Sequence, residues 1–436
     1  MVSIDTLRAD HVGAYGYARD TTPFLDALAE DGVVFSRAWA HSNWTVPSTA
    51  SLLTGLYPSG HGAGIAGEVR ELADDTPILQ IRPGVETLAG RLRAAGFRTA
   101  MLSANPFLFG RFSDGFEVAQ VGRAPADELT DSALRWLEET RGERFFLYLQ
   151  YMDLHQPIEP PPRYAELFPV DEGTERSPEH GDWSYGNLQT AEDLDDPSFR
   201  SYSAHRTALY DGALRWIDDE LRRLDAALAR TGRAEETLLV VTADHGEELW
   251  DHALAERATG GDPREHWGIG HGHSMYEELL RVPLIVHGPG VAARPPDDCT
   301  ARQVDVLPTL LDLLGLEPVT GLPGRSLAPR LRAGEPPDCE AVPVVAESPA
   351  YGPDAKAVVW DGRKLVVRSD GVVQLFDLRT DPGETRDLAA ADPATVRALR
   401  AILRRELGSA DGAAPSDAIE IDDETRRQLR ALGYLE

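Results

Sequence analysis

Five stretches of the chain carry side chains able to hold a cation or to attack an ester. Asp5 follows the apolar opening Met1-Val2-Ser3-Ile4. A carboxylate just past a buried strand can bind a hard cation through oxygen, although an Asp capping the next helix fits the same pattern. Thr45 stands two residues before Pro47, which suits the first position of a helix running through Leu53, so Thr45 falls immediately before the N-terminus of that helix. Backbone N–H groups and the positive dipole end there favour a bound sulfate or phosphate. A hydroxyl at that point becomes a nucleophile if a cation lowers its pKa; an ordinary Ser/Thr helix cap is the plainer reading. Asp244 and His245 close the apolar run Leu238–Thr242 and are followed by Gly246, offering an oxygen and an imidazole ligand. That pair suits zinc, manganese or iron better than calcium. His271 and His273, after a glycine-rich stretch, could contact a metal, a substrate anion or a leaving group, or lie on the surface. His155 comes just after the apolar run Phe145–Gln150 and fits the same edge.

These residues need a scaffold that gathers strand ends, and the chain has one. Short β-branched runs, Gly32–Phe35, Phe145–Gln150, Thr237–Thr242 and Val282–Val286, alternate with helical patterns near Pro23–Ala29, Val85–Ala95, Asp131–Thr140, Tyr210–Leu228 and Val304–Leu314. This alternation predicts an α/β fold with a mostly parallel central sheet flanked by helices, in which ligands bind beyond the carboxyl ends of the strands. Residues 167–203 lose periodicity and become acidic and rich in Gly, Pro and Ser; a structureless stretch of that length reads as a lid insertion. Beyond Gly334 the pattern becomes short strands at Ala357–Trp360, Lys364–Arg368 and Val372–Phe376, with Asp361-Gly362 and Asp370-Gly371 as turns, then helices near Pro393–Leu407 and Asp423–Leu432. The expected division is a catalytic domain over 1–334 and a small antiparallel α+β subdomain over 335–436.

Composition narrows the function. The formal charge of −29 argues against nucleic acid and anionic membranes as partners. No apolar run is long enough to span a bilayer and no charged segment precedes an apolar one, so neither a membrane span nor a signal peptide is visible. The expectation is a cytoplasmic chain as written; an N-terminus truncated at the Met1–Ile4 strand, with its export signal, is the alternative. Cys299 and Cys339 are too few for a disulfide framework or a cysteine metal site. They are read as two free thiols, with a single bridge as the alternative. Arg supplies almost all positive charge, since Lys356 and Lys364 are the only lysines.

The order of these segments resembles the sulfatase family of the alkaline phosphatase superfamily. The resemblance is carried by Ser3-Ile4-Asp5-Thr6-Leu7-Arg8-Ala9-Asp10, Thr22-Pro23 with Leu25-Asp26, and Pro47-Ser48 with Ser51-Leu52-Leu53-Thr54-Gly55-Leu56-Tyr57-Pro58. It continues through Asp244-His245-Gly246, Tyr276-Glu277 with Arg281-Val282-Pro283, Asp305-Val306-Leu307-Pro308-Thr309, Phe376-Asp377-Leu378 with Asp381-Pro382-Gly383-Glu384, and Leu432-Gly433-Tyr434. It implies a hydrolase of small anionic sulfate or phosphate esters in which Asp5, Asp244 and His245 bind a divalent metal and Thr45 is nucleophile and additional ligand. His155 and the His271/His273 segment would touch the reacting group or its leaving group, with His273 preferred for its closeness to Tyr276-Glu277. Relatives with two metals recruit further Asp and His residues, for which Asp10, Asp153, His155, His271 and His273 are available, so one or two ions are expected, zinc, manganese or iron rather than calcium or magnesium.

The chain departs from the family pattern at two points. Sulfatases carry Cys or Ser at the Thr45 position and oxidise it to formylglycine; threonine would give a ketone, so no formylglycine is expected. Thr49 stands where the signature has Arg. Both departures favour phosphodiester, phosphonate or phosphomonoester hydrolysis. The alternatives are a sulfuric ester hydrolase, a phosphoryl-headgroup transferase and a catalytically silent metal-binding homologue.

Overall fold

The computed structural model describes residues 1–73, 76–170, 194, 197–260, 262–334, 336–408, 416–418 and 423–431. Its centre is a nine-stranded sheet built from β1 (Val2–Ile4), β2 (Val33–Trp39), β3 (Arg98–Ser103), β4 (Val118–Val121), β5 (Phe145–Tyr151), β6 (Leu239–Thr242), β7 (Arg281–Val282), β8 (Leu284–His287) and β9 (Asp297–Arg302). The order along the sheet is β7-β2-β8-β6-β1-β5-β3-β4, with β9 on β2. Strands β6, β1, β5, β3 and β4 are mutually parallel, whereas β8 runs antiparallel to both β6 and β2. This is the mostly parallel α/β sheet the sequence implies. Parallel neighbours require crossovers over a face, and helices α1 (Pro23–Glu30), α2 (Thr45–Thr54), α3 (Leu88–Ala94), α4 (Ala126–Glu139), α5 (Pro197–Arg230) and α6 (Gln303–Leu313) supply the cover.

Register decides what the sheet can do. Ser3 of β1 lies beside both Gln150 of β5 and Thr242 of β6, and Ser103 of β3 lies beside Gln150. The residues just past these strands therefore meet on one edge. The first turn after β1 is held open by Thr6, a non-glycine residue at φ 60°. A left-handed backbone at such a residue costs of order 1–3 kcal/mol and persists only where neighbours enforce it. Tyr210 of α5 enforces it, donating its hydroxyl hydrogen to Thr6 O (2.7 Å) and accepting from Arg8 N (2.9 Å). The same helix caps α1, since both carboxylate oxygens of Asp218 accept from Phe24 N (2.8 Å) and Leu25 N (2.9 Å), satisfying orphan donors that Thr22 does not reach.

Strands β10 (Val344–Glu347), β11 (Ala355–Trp360), β12 (Arg363–Arg368) and β13 (Val373–Asp377) form a separate antiparallel sheet in sequential order, covered by α7 (Pro393–Leu407). One face packs Val344, Ala346, Ala355, Ala357 and Val366 against Trp39, Met275 and Leu280 of the large unit. The other joins Val345, Val358, Leu365 and Leu375 to α7 and to Tyr57 and Val304. The small sheet thus has no core independent of the large one. Position 335, where the sequence suggests a division, lies outside the described residues, as does 171–193 of the suggested lid; the rest of that stretch includes the start of α5.

Cys299 and Cys339 form a disulfide, which corrects the reading of two free thiols: β9 and the segment leading to β10 bring the two positions together although they are 40 residues apart. Lys364, one of two lysines, is fully buried, its Nζ 2.8 Å and 3.0 Å from the two carboxylate oxygens of Glu384. Glu384 also accepts from Glu277 N (2.7 Å), so this pair fastens the small sheet to the segment before β7. Removing one partner of a buried pair leaves an uncompensated charge. Lys364→Ala is expected to lower unfolding stability by about 3–5 kcal/mol, read as a lower denaturant midpoint; an unchanged midpoint would remove this fastening role.

Candidate active site

Asp5, Thr45, Asp244 and His245 converge at the carboxyl edge of β1 and β6, and each is fully buried. Thr45 Oγ1 is 3.4 Å from Asp5 Oδ2 and 3.4 Å from His245 Nε2. His245 Nε2 lies 3.7 Å from Asp5 Oδ1 and 3.6 Å from Asp244 Oδ2. Local chemistry orients each group. His245 donates from Nδ1 to Gly246 O (2.8 Å), which leaves the lone pair on Nε2, the atom facing the carboxylates. Asp244 Oδ1 accepts from His245 N (2.9 Å), and its carbonyl accepts from Gln303 Nε2 (2.6 Å) at the start of α6. Gly246 is obligatory here, because a Cβ would lie 1.8 Å from Glu278 O.

The donor set fits a divalent cation. Two carboxylates and an imidazole present one atom each within 4.8 Å of one another. Asp5 Oδ1 is buried and accepts no hydrogen bond, the state of an oxygen whose partner is an ion. Without a cation the arrangement is costly: burial, then the nearby charge of Asp244, pushes the Asp5 carboxyl up to about 8, and burial pushes Asp244 up to about 7.

Thr45 is the first residue of α2 rather than the residue before the helix, because the helix starts two residues ahead of Pro47, with Trp44 extended before it (φ −158°). The loop that delivers it is braced by the small sheet. Ser348 O, just past β10, accepts from Trp44 Nε1 (2.8 Å) and Ser42 Oγ (2.9 Å), and Glu347 N donates to His41 O (3.0 Å).

Three imidazoles line the site. The His271 ring stands 4.5 Å from that of His245 and 5.0 Å from that of His155. His271 Nδ1 is 3.2 Å from Glu247 Oε2, and His155 Nδ1 donates to Gln156 O (2.7 Å). Burial, reinforced by neighbouring histidines, holds His155 down to about 3 and His271 well below the usual histidine range, so both rings are neutral.

Three of the residues proposed from sequence lie elsewhere. His273, favoured over His271, turns away because Gly272 between them is left-handed at φ 85°, so the two side chains do not share a side. His273 Nε2 instead faces Glu256 Oε1 (2.9 Å) and Glu248 Oε2 (3.2 Å). Burial alone would lower its pKa, but the charges of Glu256 and Asp262 raise it well above the ordinary histidine value. Asp10 pairs with Arg8 at 2.7 Å and its side chain is 64% exposed. Asp153 accepts from Ala126 N (3.0 Å) at the start of α4, a capping role.

Asn105, Gln150 and Glu247 were not singled out in the sequence. Asn105 Nδ2 donates to Asp5 Oδ2 (2.8 Å) and Thr45 Oγ1 (3.2 Å), while its Oδ1 accepts from Phe107 N (3.0 Å), which fixes the amide. Gln150 Nε2 lies 3.4 Å from Asp244 Oδ2, and its Oε1 accepts from Ser103 Oγ (3.0 Å). Asn105 lies two positions past β3 and Asp5 one past β1, so a polar residue just beyond a strand is the signal available.

Comparison with known proteins bears on the family and the fold. The family model named Sulfatase matches residues 1–316. An arylsulfatase from Clostridium perfringens is 23% identical over 475 aligned residues, covering 93% of each chain. The multifunctional alkaline phosphatase superfamily protein PehA from Trinickia caryophylli is 25% identical, covering 93% of this chain and 94% of its own. Among solved structures, the phosphonate monoester hydrolase of Agrobacterium radiobacter superposes with a TM-score of 0.72 at 23% identity, covering 93% of this chain and 94% of that one. With the family model extending over most of its length, the chain belongs to the sulfatase family of the alkaline phosphatase superfamily, hydrolases of sulfuric and phosphoric esters.

Proposed function

We propose that the chain is a metal-dependent hydrolase of phosphoric esters, a phosphodiester, phosphonate or phosphomonoester, with Thr45 as nucleophile. The observation that carries this reading is the Thr45 hydroxyl at the first residue of α2, 3.4 Å from both Asp5 Oδ2 and His245 Nε2. A divalent cation held by Asp5, Asp244 and His245, with Thr45 as a further ligand, would supply Lewis acidity and an activated hydroxyl. The imidazole in the set favours zinc, manganese or iron over calcium or magnesium.

The chain's own residues account for the rest. Thr45 Oγ1 forms a bond to phosphorus as the bond to the leaving oxygen breaks, and the hydroxyl proton departs. N–H groups of the first turn of α2 stabilise charge on the non-bridging oxygens. Asn105, hydrogen-bonded to both Asp5 and Thr45, holds nucleophile and carboxylate in one geometry. His155 and His271 have Nδ1 engaged by Gln156 O and Glu247, so their neutral rings carry the lone pair on Nε2. They are suited to relay the proton that the leaving oxygen takes up. Water then attacks the phosphothreonine, breaking the Oγ1–P bond and restoring the hydroxyl; the net reaction is ester plus water giving alcohol plus phosphate or phosphonate.

The likeness to an arylsulfatase favours one second reading, hydrolysis of sulfuric esters without formylglycine. A panel of aryl sulfates, phosphate monoesters, diesters and phosphonates, run with several divalent metals, separates the two. Turnover of a phosphorus ester above any sulfate is expected, and turnover of sulfates alone would overturn the proposal. Thr45→Ala should lose 10³-fold or more of that turnover, on the order of 4 kcal/mol of transition-state stabilisation, and an acid quench of the wild type should trap phosphate on the peptide containing Thr45.

The cation must displace protons from Asp5 and Asp244, whose pKa values lie near 8 and 7 in its absence. Below pH 7 both carboxylates hold protons and compete; above 8 neither does. Affinity for Mn²⁺ should therefore rise between pH 6 and pH 8, by up to about tenfold per pH unit for each proton displaced. Calorimetric titration in buffers of different ionisation enthalpy reads that proton release, and a flat profile would contradict it.

A further inference from the structure

A second set of metal-ligating side chains lies behind the first, on the excursion from Glu247 to His273. Glu248 belongs to a short ribbon in which Glu248–Leu249 pairs with Ile269–Gly270. Glu256 lies on the helix Ala253–Thr259, and His273 follows the ribbon's second strand. The three residues are 0%, 1% and 5% exposed, and one ligand atom of each lies within 4.8 Å of the others.

The cluster is built rather than accidental. Glu248 Oε1 accepts from His252 N (2.9 Å) and Glu256 Oε2 from Gly268 N (3.0 Å), so each carboxylate is anchored by one oxygen and turns the other inward. Those inward oxygens stand 3.2 Å and 2.9 Å from His273 Nε2. Donor atoms about 2.0–2.2 Å from a common tetrahedral ion are roughly 3.3–3.6 Å apart, so little movement is needed to accept one. A single ring N–H cannot serve two carboxylates: with Glu248 Oε2 at 3.2 Å taking it, Glu256 Oε1, buried and 2.9 Å from the same nitrogen, has no hydrogen bond of its own. On the far side of the ring, Nδ1 lies 3.9 Å from Asp262 Oδ2 and 3.3 Å from Arg264 Nη2. Asp262 is the nearest carboxylate to Nδ1; it would have to close from 3.9 Å, with Arg264 turning aside, to accept the Nδ1–H when Nε2 is a ligand.

Charge points the same way. Glu278 is balanced by His252 at 2.6 Å. The three remaining carboxylates, Glu248, Glu256 and Asp262, face one guanidinium, Arg264, which is 2.9 Å from Asp262. Without an ion protons make up the charge, on the His273 ring and on Glu248, whose carboxyl is pushed well up by burial and the charge of Glu256. An ion that displaces both protons and leaves the imidazole neutral meets two negative charges, its own charge in magnitude.

We propose that Glu248, Glu256 and His273 form a second divalent-cation site, distinct from that of Asp5, Asp244 and His245, which clamps the 247–273 excursion and so fixes His271 against His245. Two carboxylate oxygens and one imidazole suit Zn²⁺ or Mn²⁺. The proposal does not depend on the chemistry assigned to Thr45.

The test is metal stoichiometry of the full chain after chelator treatment, reloading with Mn²⁺ or Zn²⁺ alone and gel filtration. The Asp5→Asn/Asp244→Asn protein, which leaves the second cluster intact, should retain one ion per chain. Adding Glu256→Gln to it should abolish retention, and Glu256→Gln alone should retain one ion fewer than wild type. Retention of no ion by a folded Asp5→Asn/Asp244→Asn protein, checked by circular dichroism, would overturn the proposal, as would equal retention with and without Glu256→Gln. As a readout independent of the Glu256 variant, Co²⁺ added to the Asp5→Asn/Asp244→Asn protein should develop the visible absorption of a tetrahedral nitrogen-and-oxygen site; a spectrum of hexa-aqua Co²⁺ alone counts against it.

Discussion

Two carboxylates, Asp5 and Asp244, are held side by side out of water with the imidazole of His245 between them. Such a group of like charges is unstable in a low-dielectric interior unless protons or a cation neutralise it. Much of the surrounding architecture works to hold it together. Parallel pairing of β1 with β5 and β6 brings the strand ends level. Tyr210 imposes the left-handed turn at Thr6 that sends the chain away just after Asp5. Gly246 lets the segment after His245 pass against the backbone at Glu278. Asn105 and Gln150 donate into the carboxylates from the two strands that complete the edge.

Thr45, the proposed nucleophile, is held by a different part of the chain. The loop before Thr45 hydrogen-bonds to Glu347 and Ser348, so the entry to α2 is set by the small antiparallel sheet rather than by the large one alone. The shared clusters around Trp39 and Tyr57 make the same point in apolar terms. In this protein the C-terminal sheet is a wall of the catalytic unit, and a division of the chain near residue 335 separates segments that fold against one another.

Much of this was readable from residues alone. Asp5, Asp244 and His245 were legible because each follows a short β-branched run, and parallel strands must present such positions on one edge. Thr45 was legible through Pro47. Asn105 escaped notice because β3, Arg-Thr-Ala-Met-Leu-Ser, lacks the β-branched density that marked the other strands. Gln150 only closes the run Phe145–Gln150, and nothing in that pattern tells that its amide turns to Asp244. The choice between His271 and His273 turned on the φ angle of Gly272, which spacing from a downstream landmark does not encode. The start of α5 at Pro197 falls in a stretch whose polar composition reads as irregular; its early turns gain apolar partners in Trp250 and Ile269, through Phe199 and Tyr202, which only tertiary contact reveals.

The bond between Cys299 and Cys339 joins a strand at the sheet margin to the segment that leads into β10. Closing a loop whose ends are 40 residues apart removes unfolded-chain entropy worth roughly 4 kcal/mol. That contribution exists only where thiols stay oxidised. Because β10 runs directly into the residues that brace the approach to Thr45, the redox potential of the surroundings becomes one of the variables that set how firmly that loop is seated, through a bond remote from Thr45 itself.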